Sequence, residues 1–346
     1  PYRGVAFEWK GEDVFHVYTQ YPKVAPSGYA TIAFFKYVEE PDEFKVVNED
    51  FLKLSRTFVE EHSGITNSII GIYLSINDEK LDKKAYINKN GAIQECTINY
   101  VPEKSELYSR SKGLLEVDIL ANKKVLIIGL GSFGSNIAVE LAKAGLGNFT
   151  LIDFDRIELA NIARHISGVN ELGRFKTRAV RDAILVKNPY ARIITHEIDI
   201  NQELAILQKS ISESDLTICV TDNNRSRFNV NEIAIEENKT VLFGRAITRA
   251  EGGDVFRLRP NAGPCYNCLV GGKVAIAEEE ISSKKQAENV LPAYMRTTEE
   301  EVNSAVQVGL SSDISPICNF LIKMGLVELS RGLNSGISSL EEELTY

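Results

Sequence analysis

Val125-Leu-Ile-Ile-Gly-Leu-Gly-Ser-Phe-Gly134 is the stretch on which the fold turns. Four apolar, β-forming residues run directly into a glycine-rich turn, and from Ser135 to Ala144 apolar side chains recur at helical spacing. A strand, a tight turn and a helix in that order bring backbone N–H groups to a helix N-terminus, the local geometry that receives phosphate.

The same alternation continues outward. Phe149-Thr-Leu-Ile-Asp153 reads as a second strand, and Thr177 to Asn188 as a helix stopped by Pro189. Strand Arg192 to Glu197, helix Gln202 to Ser210, strand Leu216 to Val220, helix Ser226 to Glu237 and strand Thr240 to Phe243 follow. Strands that are apolar on both faces need helices above and below, so the expected fold is α/β, a Rossmann-like, doubly wound and mostly parallel sheet over residues 106–346. Before it, residues 1–105 suggest a smaller α+β domain. Its strands are Tyr29 to Phe35 and Ile69 to Ser75, with a helix from Glu49 to Glu61 carrying Phe51, Leu52, Leu54, Phe58 and Val59. Asn90-Gly91 marks a hairpin turn, and a short helix around Leu107 to Ile119 leads into the larger domain.

Composition narrows the function. The chain has 346 residues, 44% hydrophobic and 25% charged, with a formal net charge of -9. A negative chain offers no broad attraction to phosphate backbones or anionic lipid, which disfavours nucleic acid and membrane partners. The central charge-free run, Val125 to Val139, contains three glycines and is no membrane span. Five scattered cysteines and a charged first twenty residues, unlike a signal peptide, point to a reducing cytoplasm.

Asp153 closes the second strand nineteen residues past Gly134, where an acid can hold ribose hydroxyls. Three polar groups then gather at the carboxyl ends of the strands: Asp153-Phe-Asp155-Arg-Ile-Glu158-Leu-Ala-Asn161-Ile-Ala-Arg164-His165, Leu172-Gly-Arg-Phe-Lys176, and Thr221-Asp222-Asn223-Asn-Arg-Ser-Arg227. Cations for a triphosphate and a carboxylate for Mg²⁺ suit attack on an α-phosphate, whereas hydride transfer needs neither. Taken singly, each residue also has a structural reading. Arg164 and Lys176 suit a solvated surface, Asp155 and Glu158 suit loop caps, and Asp222 suits a turn before the next helix.

With these motifs the stretch Gly129 to Leu269 resembles the ubiquitin-activating-enzyme-like adenylyltransferases, the family of the ThiF and MoeB sulfur-carrier activators. The match includes Arg249-Ala-Glu-Gly and Gly263-Pro-Cys-Tyr-Asn-Cys-Leu269, while Tyr108-Ser-Arg110 resembles the family's Arg-bearing N-terminal helix. The resemblance implies ATP with Mg²⁺ as cofactors and adenylation of a carrier's C-terminus. It implies the glycines Gly129, Gly131 and Gly134 around the nucleotide with Asp155 and Asn223 beside it, Asp153 on the ribose, and Arg164 and Lys176 on the phosphates near Asn161. It also implies Asp222 on Mg²⁺ and Arg110 reaching into the partner's site of a homodimer. The partner is then a ubiquitin-like or sulfur-carrier protein, with a conjugating enzyme downstream. His165 stands where many relatives have Gln, and Ser132 replaces a common third glycine. The extra N-terminal domain is unusual for a housekeeping activator, which suggests a dedicated conjugation pathway, such as a bacterial one in immunity. A non-catalytic partner subunit and an NAD-dependent oxidoreductase are the rival readings.

Two cysteine questions remain open. The crossover loop, about 271–307, has no Cys, and Ser304-Ala305-Val306-Gln307-Val308-Gly309 resembles the surroundings of the family's thioester-forming thiolate with alanine in its place. A deliberate Cys→Ala change at Ala305 is the favoured account; a protein that only adenylates, and Cys318 acting instead, are the others. Cys318 is itself read as a buried helix residue. Cys265-x-x-Cys268 resembles half of the family's four-cysteine zinc site, and with the other half missing, a metal-free loop or a disulfide is expected in preference to zinc.

Overall fold

Alternating bulky apolar side chains build the sheet of the first of two units, Pro1–Pro102 and Glu103–Tyr346. The computed structural model describes residues 2–9, 14–18, 29–39, 43–44, 47–61, 68–77, 80–89, 91–98, 107–108, 115, 117–247, 252–270, 310–333 and 335–337. In the first unit these form β1 (Tyr2–Trp9), β2 (Val14–Tyr18), β3 (Tyr29–Tyr37), α1 (Val47–Glu61), β4 (Ser68–Asn77), β5 (Lys80–Lys89) and β6 (Ala92–Cys96). The strand order is β2-β1-β3-β4-β5-β6, antiparallel except for the β3–β4 pair that α1 connects.

Helix α1 starts two residues before the sequence reading and buries Val47, Phe51 and Ser55, one residue per turn on one face. The Phe51 ring lies 5.8 Å from Phe34 and 5.9 Å from Tyr86. A Cβ at Gly71 would come within 2.6 Å of the Phe51 ring, so glycine there is what lets the helix settle on the sheet. Ser55 is polar yet buried because its hydroxyl oxygen accepts from Asn88 Nδ2 at 3.0 Å. Lys89 pairs with Ala92 across the expected hairpin, with Gly91 at φ +88° as such turns require.

The second unit contains α2 (Val117–Ala121), β7 (Lys124–Ile128), α3 (Ser132–Lys143), β8 (Asn148–Ile152), α4 (Lys176–Lys187), β9 (Arg192–His196) and α5 (Leu204–Ser212). It continues with β10 (Leu216–Cys219), α6 (Asn224–Glu236), β11 (Val241–Ile247), β12 (Gly252–Leu258), α7 (Tyr266–Leu269) and α8 (Ser311–Ser330). The strand order is β12-β11-β10-β7-β8-β9, parallel throughout except for the antiparallel edge strand β12. This is the Rossmann-like doubly wound sheet expected from the sequence. Val125 and Ile127 pack on one face with Ile137, Leu141, Val180 and Leu321, while Leu126 and Ile128 pack on the other with Leu207, Ile211 and Val230. Every second residue therefore belongs to a different core layer, which explains strands without polar alternation.

The chain order reverses between β7 and β10, so a crevice opens at their carboxyl ends. Three departures from the sequence reading stand out. Helix α3 begins at Ser132 rather than Ser135, β11 runs four residues past Phe243, and β12 was not foreseen. The opening pair Gly252-Gly253 hides β12 from a propensity reading, yet a Cβ on Gly253 would come 2.3 Å from Ile317 of α8. Of the short helix expected around Leu107 to Ile119, Val117–Ala121 is observed, and residues 109–114 lie outside the described residues.

Candidate functional site

The chain leaves β7 at Ile128 and starts α3 at Ser132, which leaves three residues for the turn. Gly129 takes φ +86°, and a Cβ there would lie 3.0 Å from the Val220 carbonyl at the end of β10. Gly134, one turn later, would set its Cβ 1.9 Å from the Gly129 carbonyl oxygen. Gly131 is different. Nothing lies within 4 Å of where its Cβ would be, and as the N-cap of α3 it supplies no side-chain acceptor. Two glycines thus close the turn, and the third keeps clear the space over a helix N-terminus whose dipole favours an anion.

Asp153 follows β8 and is 9% exposed. Its Oδ2 accepts the Leu130 N–H at 2.6 Å and its Oδ1 accepts the Asp155 N–H at 2.8 Å, tying the glycine turn to the end of the neighbouring strand. A carboxylate has about four lone-pair positions, so each oxygen keeps capacity for a ligand hydroxyl. Burial pushes its carboxyl above the ordinary range, and the Lys176 ammonium pulls the other way.

The segment after β8 loops back on itself. Ile157 N–H donates to Arg174 O at 2.8 Å and Gly173 N–H to Ile157 O at 2.9 Å, while Arg156 lies over the Phe175 ring. This closure returns the start of α4 to the end of β8, where Lys176 Nζ meets Asp155 Oδ2 at 2.7 Å. Lys176 is 8% exposed, so it is no solvated surface cation. Burial pulls its ammonium down, but the carboxylates of Asp153, Asp155 and Asp222 outweigh burial and hold its pKa above the usual lysine value. Three carboxylates therefore share the field of one buried ammonium.

Asn161 and Asn223 both serve as caps. Asn161 Oδ1 accepts the Glu158 N–H at 2.9 Å in a reciprocal capping box around the turn Leu159–Asn161, and Asn223 Oδ1 accepts the Ser226 N–H at 2.8 Å at the start of α6. Asp222, beside it, is exposed. The half-buried Arg164 is placed by its own backbone, whose carbonyl accepts from the Ser132 hydroxyl at 3.1 Å. That bond gives Ser132 a use that glycine would lack.

His165, whose role the sequence left open, is a clasp. Its Nδ1 accepts the Ser167 N–H at 3.0 Å, which puts the ring proton on Nε2, 2.9 Å from the Leu130 carbonyl it donates to. Burial lowers its pKa to about 4, so the ring is neutral at ordinary pH, joining the glycine turn to the Arg164 segment. Arg227 ends the third polar group of the sequence, where it counts among the cations for a triphosphate with no role of its own; here it is a structural brace. Only 2% exposed, it donates to the Thr221 carbonyl at 2.5 Å and to Asn224 Oδ1 at 3.2 Å, and so holds the turn that carries Asp222. No sequence signal separates it from Arg225, which is exposed two residues earlier.

Arg110, Arg249, Ala305 and the 271–307 crossover stretch lie outside the described residues. Cys318 is in α8, 2% exposed, with its thiol pushed by burial to about 12. That is the buried helix residue expected, and it is poorly placed as a nucleophile.

Residues 108–324, well over half of the chain, match the model of the ThiF family. The chain belongs to the ThiF family. The probable adenylyltransferase/sulfurtransferase MoeZ of Mycobacterium tuberculosis is 31% identical over 182 residues, covering 47% of this chain and 46% of the relative. The molybdopterin-synthase adenylyltransferase of Escherichia coli is 36% identical over 155 residues (44% and 60%), and the ubiquitin-like modifier-activating enzyme 5 of Caenorhabditis elegans is 28% identical over 209 residues (56% and 49%). The chain spans about half the length of the curated relatives it matches. Among solved structures, E. coli MccB with ATP aligns at a TM-score of 0.48 and 19% identity, covering 62% of this chain and 57% of that one. PaaA aligns at 0.49 and 18%, covering 72% and 71%.

Proposed function

We propose that this ThiF-family chain adenylates the C-terminal carboxylate of a small carrier protein, ubiquitin-like or sulfur-carrying, at the expense of ATP. One observation carries the reading: the clear glycine turn, the buried Lys176 and the Asp222 turn meet at the carboxyl ends of β7, β8 and β10, where the strand order reverses. A dinucleotide dehydrogenase has no need of a buried ammonium set among three carboxylates. The curated relatives whose names include adenylyltransferase support the same reaction.

In this scheme the triphosphate lies over Gly131 at the α3 N-terminus, the ribose hydroxyls bind Asp153, and Lys176 and Arg164 face the phosphates. The carboxylates around Lys176 exceed its single charge, so the residues fit a divalent cation arriving with the nucleotide. Mg²⁺ commonly takes one or two carboxylates and completes its shell with phosphate oxygens and water. Asp222, exposed on its turn, would hold it, and the ion would supply charge neutralisation at the polyphosphate. The carrier's carboxylate is already ionised and needs no general base. One of its oxygens attacks the α-phosphorus, pyrophosphate leaves, and a carrier acyl-adenylate forms. The chain's own work is positioning and electrostatic stabilisation of the charge on the transferring phosphoryl group.

Arg110 is assigned to the partner's site in a homodimer, and the first unit to recognition of the carrier or of a conjugating enzyme in a dedicated pathway, with bacterial immunity as the setting suggested by that extra unit. With Cys318 buried and no cysteine in the crossover stretch, the adenylate either is the final product or passes to a nucleophile other than Cys318. Among the described residues no helix is long and apolar enough to cross a membrane. ATP–pyrophosphate exchange with carriers ending in Gly-Gly tests the reading: carrier-dependent exchange is expected, and its absence across a broad panel refutes it.

A further inference from the structure

Cys265 is the N-cap of the short helix α7 and Cys268 lies within it, with sulfurs 3.7 Å apart. That spacing matches an edge of a tetrahedral zinc–thiolate site as well as a poised dithiol, so ligand count decides between them. Among the described residues no group of three or more His, Cys, Asp or Glu can hold a metal. In the whole chain the other cysteines are Cys96, Cys219 and Cys318, and the histidines are His16, His62, His165 and His196. Cys219 and Cys318 are buried, His165 has both ring nitrogens engaged, and the crossover stretch has neither residue type. The donor set does not fit structural zinc.

We propose that Cys265 and Cys268 form a thiol–disulfide switch whose oxidant is a low-molecular-weight disulfide. Cys265 thiolate attacks one sulfur of that disulfide and expels the first small thiolate. Cys268 thiolate then attacks the Cys265 sulfur of the mixed disulfide and expels the second. One protein S–S bond forms and one small-molecule S–S bond breaks; two electrons and two protons leave the protein on two small thiols. Access favours this pair: Cys268 is exposed and Cys265 half-buried, whereas Cys219 and Cys318 are enclosed. Thiolate chemistry agrees. Burial raises the thiols of Cys96, Cys219 and Cys318, whereas at Cys265 the raising effect of burial is overcome by hydrogen bonds from Cys268, Asn267 and Asn231.

A lever links the pair to the crevice, and this step rests on the role proposed above for Asp222. Tyr266, between the two thiols, is 1% exposed and wedged 4.9 Å from Phe243 and 5.4 Å from Phe228. Its hydroxyl donates to Asn224 Oδ1 at 3.2 Å; the same oxygen accepts from Arg227, whose other nitrogen holds the Thr221 carbonyl at 2.5 Å. Disulfide closure draws the sulfurs in to about 2.05 Å. The wedged ring cannot follow freely, so its long bond to Asn224 loosens first and the Thr221–Asp222 turn slackens.

The test equilibrates the full chain in oxidised and reduced glutathione and reads intact mass, peptide-mapped thiol labelling, metal content and amide hydrogen exchange. Expected are loss of two hydrogens' mass, a Cys265–Cys268 bridge with Cys219 and Cys318 unmodified, and exchange at residues 221–227 faster by about threefold or more. Cys268→Ser should stop at a single glutathione on Cys265. Thiols that stay reduced in excess oxidised glutathione, or stoichiometric zinc held by the pair, overturn the proposal. A bridge that leaves exchange at 221–227 unchanged overturns the switch. None of these readouts uses nucleotide turnover, so reduced protein that fails in ATP–pyrophosphate exchange counts against the proposed function alone.

Discussion

Alanine at Gly134 and at Gly131, three residues apart, should fail in opposite ways. At Gly134 a methyl group would stand 1.9 Å from the Gly129 carbonyl oxygen, a backbone atom held in turn by the close approach of Gly129 to β10. Alanine gains about 0.5–1 kcal/mol over glycine inside a helix. Forcing an extra carbon into a packed backbone contact costs roughly 1–3 kcal/mol, with the upper end expected where backbone must move. The clash wins by about 2 kcal/mol, which for a unit of this size lowers Tm by roughly 4–8 °C. At Gly131 φ is −73° and nothing lies within 4 Å, so Gly131→Ala should alter stability by less than about 1 kcal/mol. Its methyl would occupy the space assigned to a phosphate oxygen, and exchange activity should fall roughly a hundredfold. Thermal melting and ATP–pyrophosphate exchange on the two variants are the assays. Gly134→Ala melting with the wild type refutes the packing argument, and Gly131→Ala retaining full exchange refutes the placement of the triphosphate.

Lys176→Met keeps the buried stem and removes the charge; exchange should drop by roughly 10²–10³, and a loss of less than threefold would deny Lys176 a phosphate role. His165 has a folded-state pKa of about 4, below its unfolded value, so the unfolded chain takes up the proton first as pH falls. Its contribution is complete above about pH 6.5 and declines toward pH 4 by up to about 3 kcal/mol. His165→Gln offers an N–H donor and an oxygen acceptor without titrating, so denaturant melts at pH 5 and 7.5 should show a smaller acid loss than wild type; equal losses contradict the clasp. Glu328, its side chain 6% exposed, is shared by Arg257, Arg259 and Arg331. Glu328→Gln should destabilise by about 3 kcal/mol or more because three guanidiniums lose their shared anion; an unchanged Tm would show that other groups balance them. Cys318→Ala should leave exchange within twofold of wild type, and loss of an ATP-dependent carrier adduct in that variant would restore Cys318 as a nucleophile.

The parallel sheet was legible because its evidence is local. Val125 to Ile128 lacks polar alternation, Pro189 stops α4 and glycines punctuate β7, each a signal within a few residues. Strand β12 was not legible: it opens on Gly252-Gly253, and Gly253 is there for the passage of α8, which approaches from about sixty residues along the chain. At the site, residue types and order pointed to Lys176, Asp153 and Asp222, but burial could not be read from order. That Lys176 is enclosed while Asp155 beside it is half-exposed depends on the loop 154–175 folding back through Ile157 and Arg174. The capping duties of Asn161 and Asn223 were not read, because the resemblance had assigned both to the nucleotide; Asn161 closes its capping box from the third position of the turn, and Asn223 stands ahead of α6. The bracing role of Arg227 had no signature, because its partner is a backbone carbonyl six residues earlier.

The central claim is that this crevice transfers AMP to a carrier's C-terminus. Exchange of labelled pyrophosphate into ATP, measured with Mg²⁺ and a panel of small proteins ending in Gly-Gly, tests it most directly. The account predicts exchange that requires one of those carriers and disappears when its terminal glycine is removed. A chain that binds NADH and gives no exchange with any of them contradicts it.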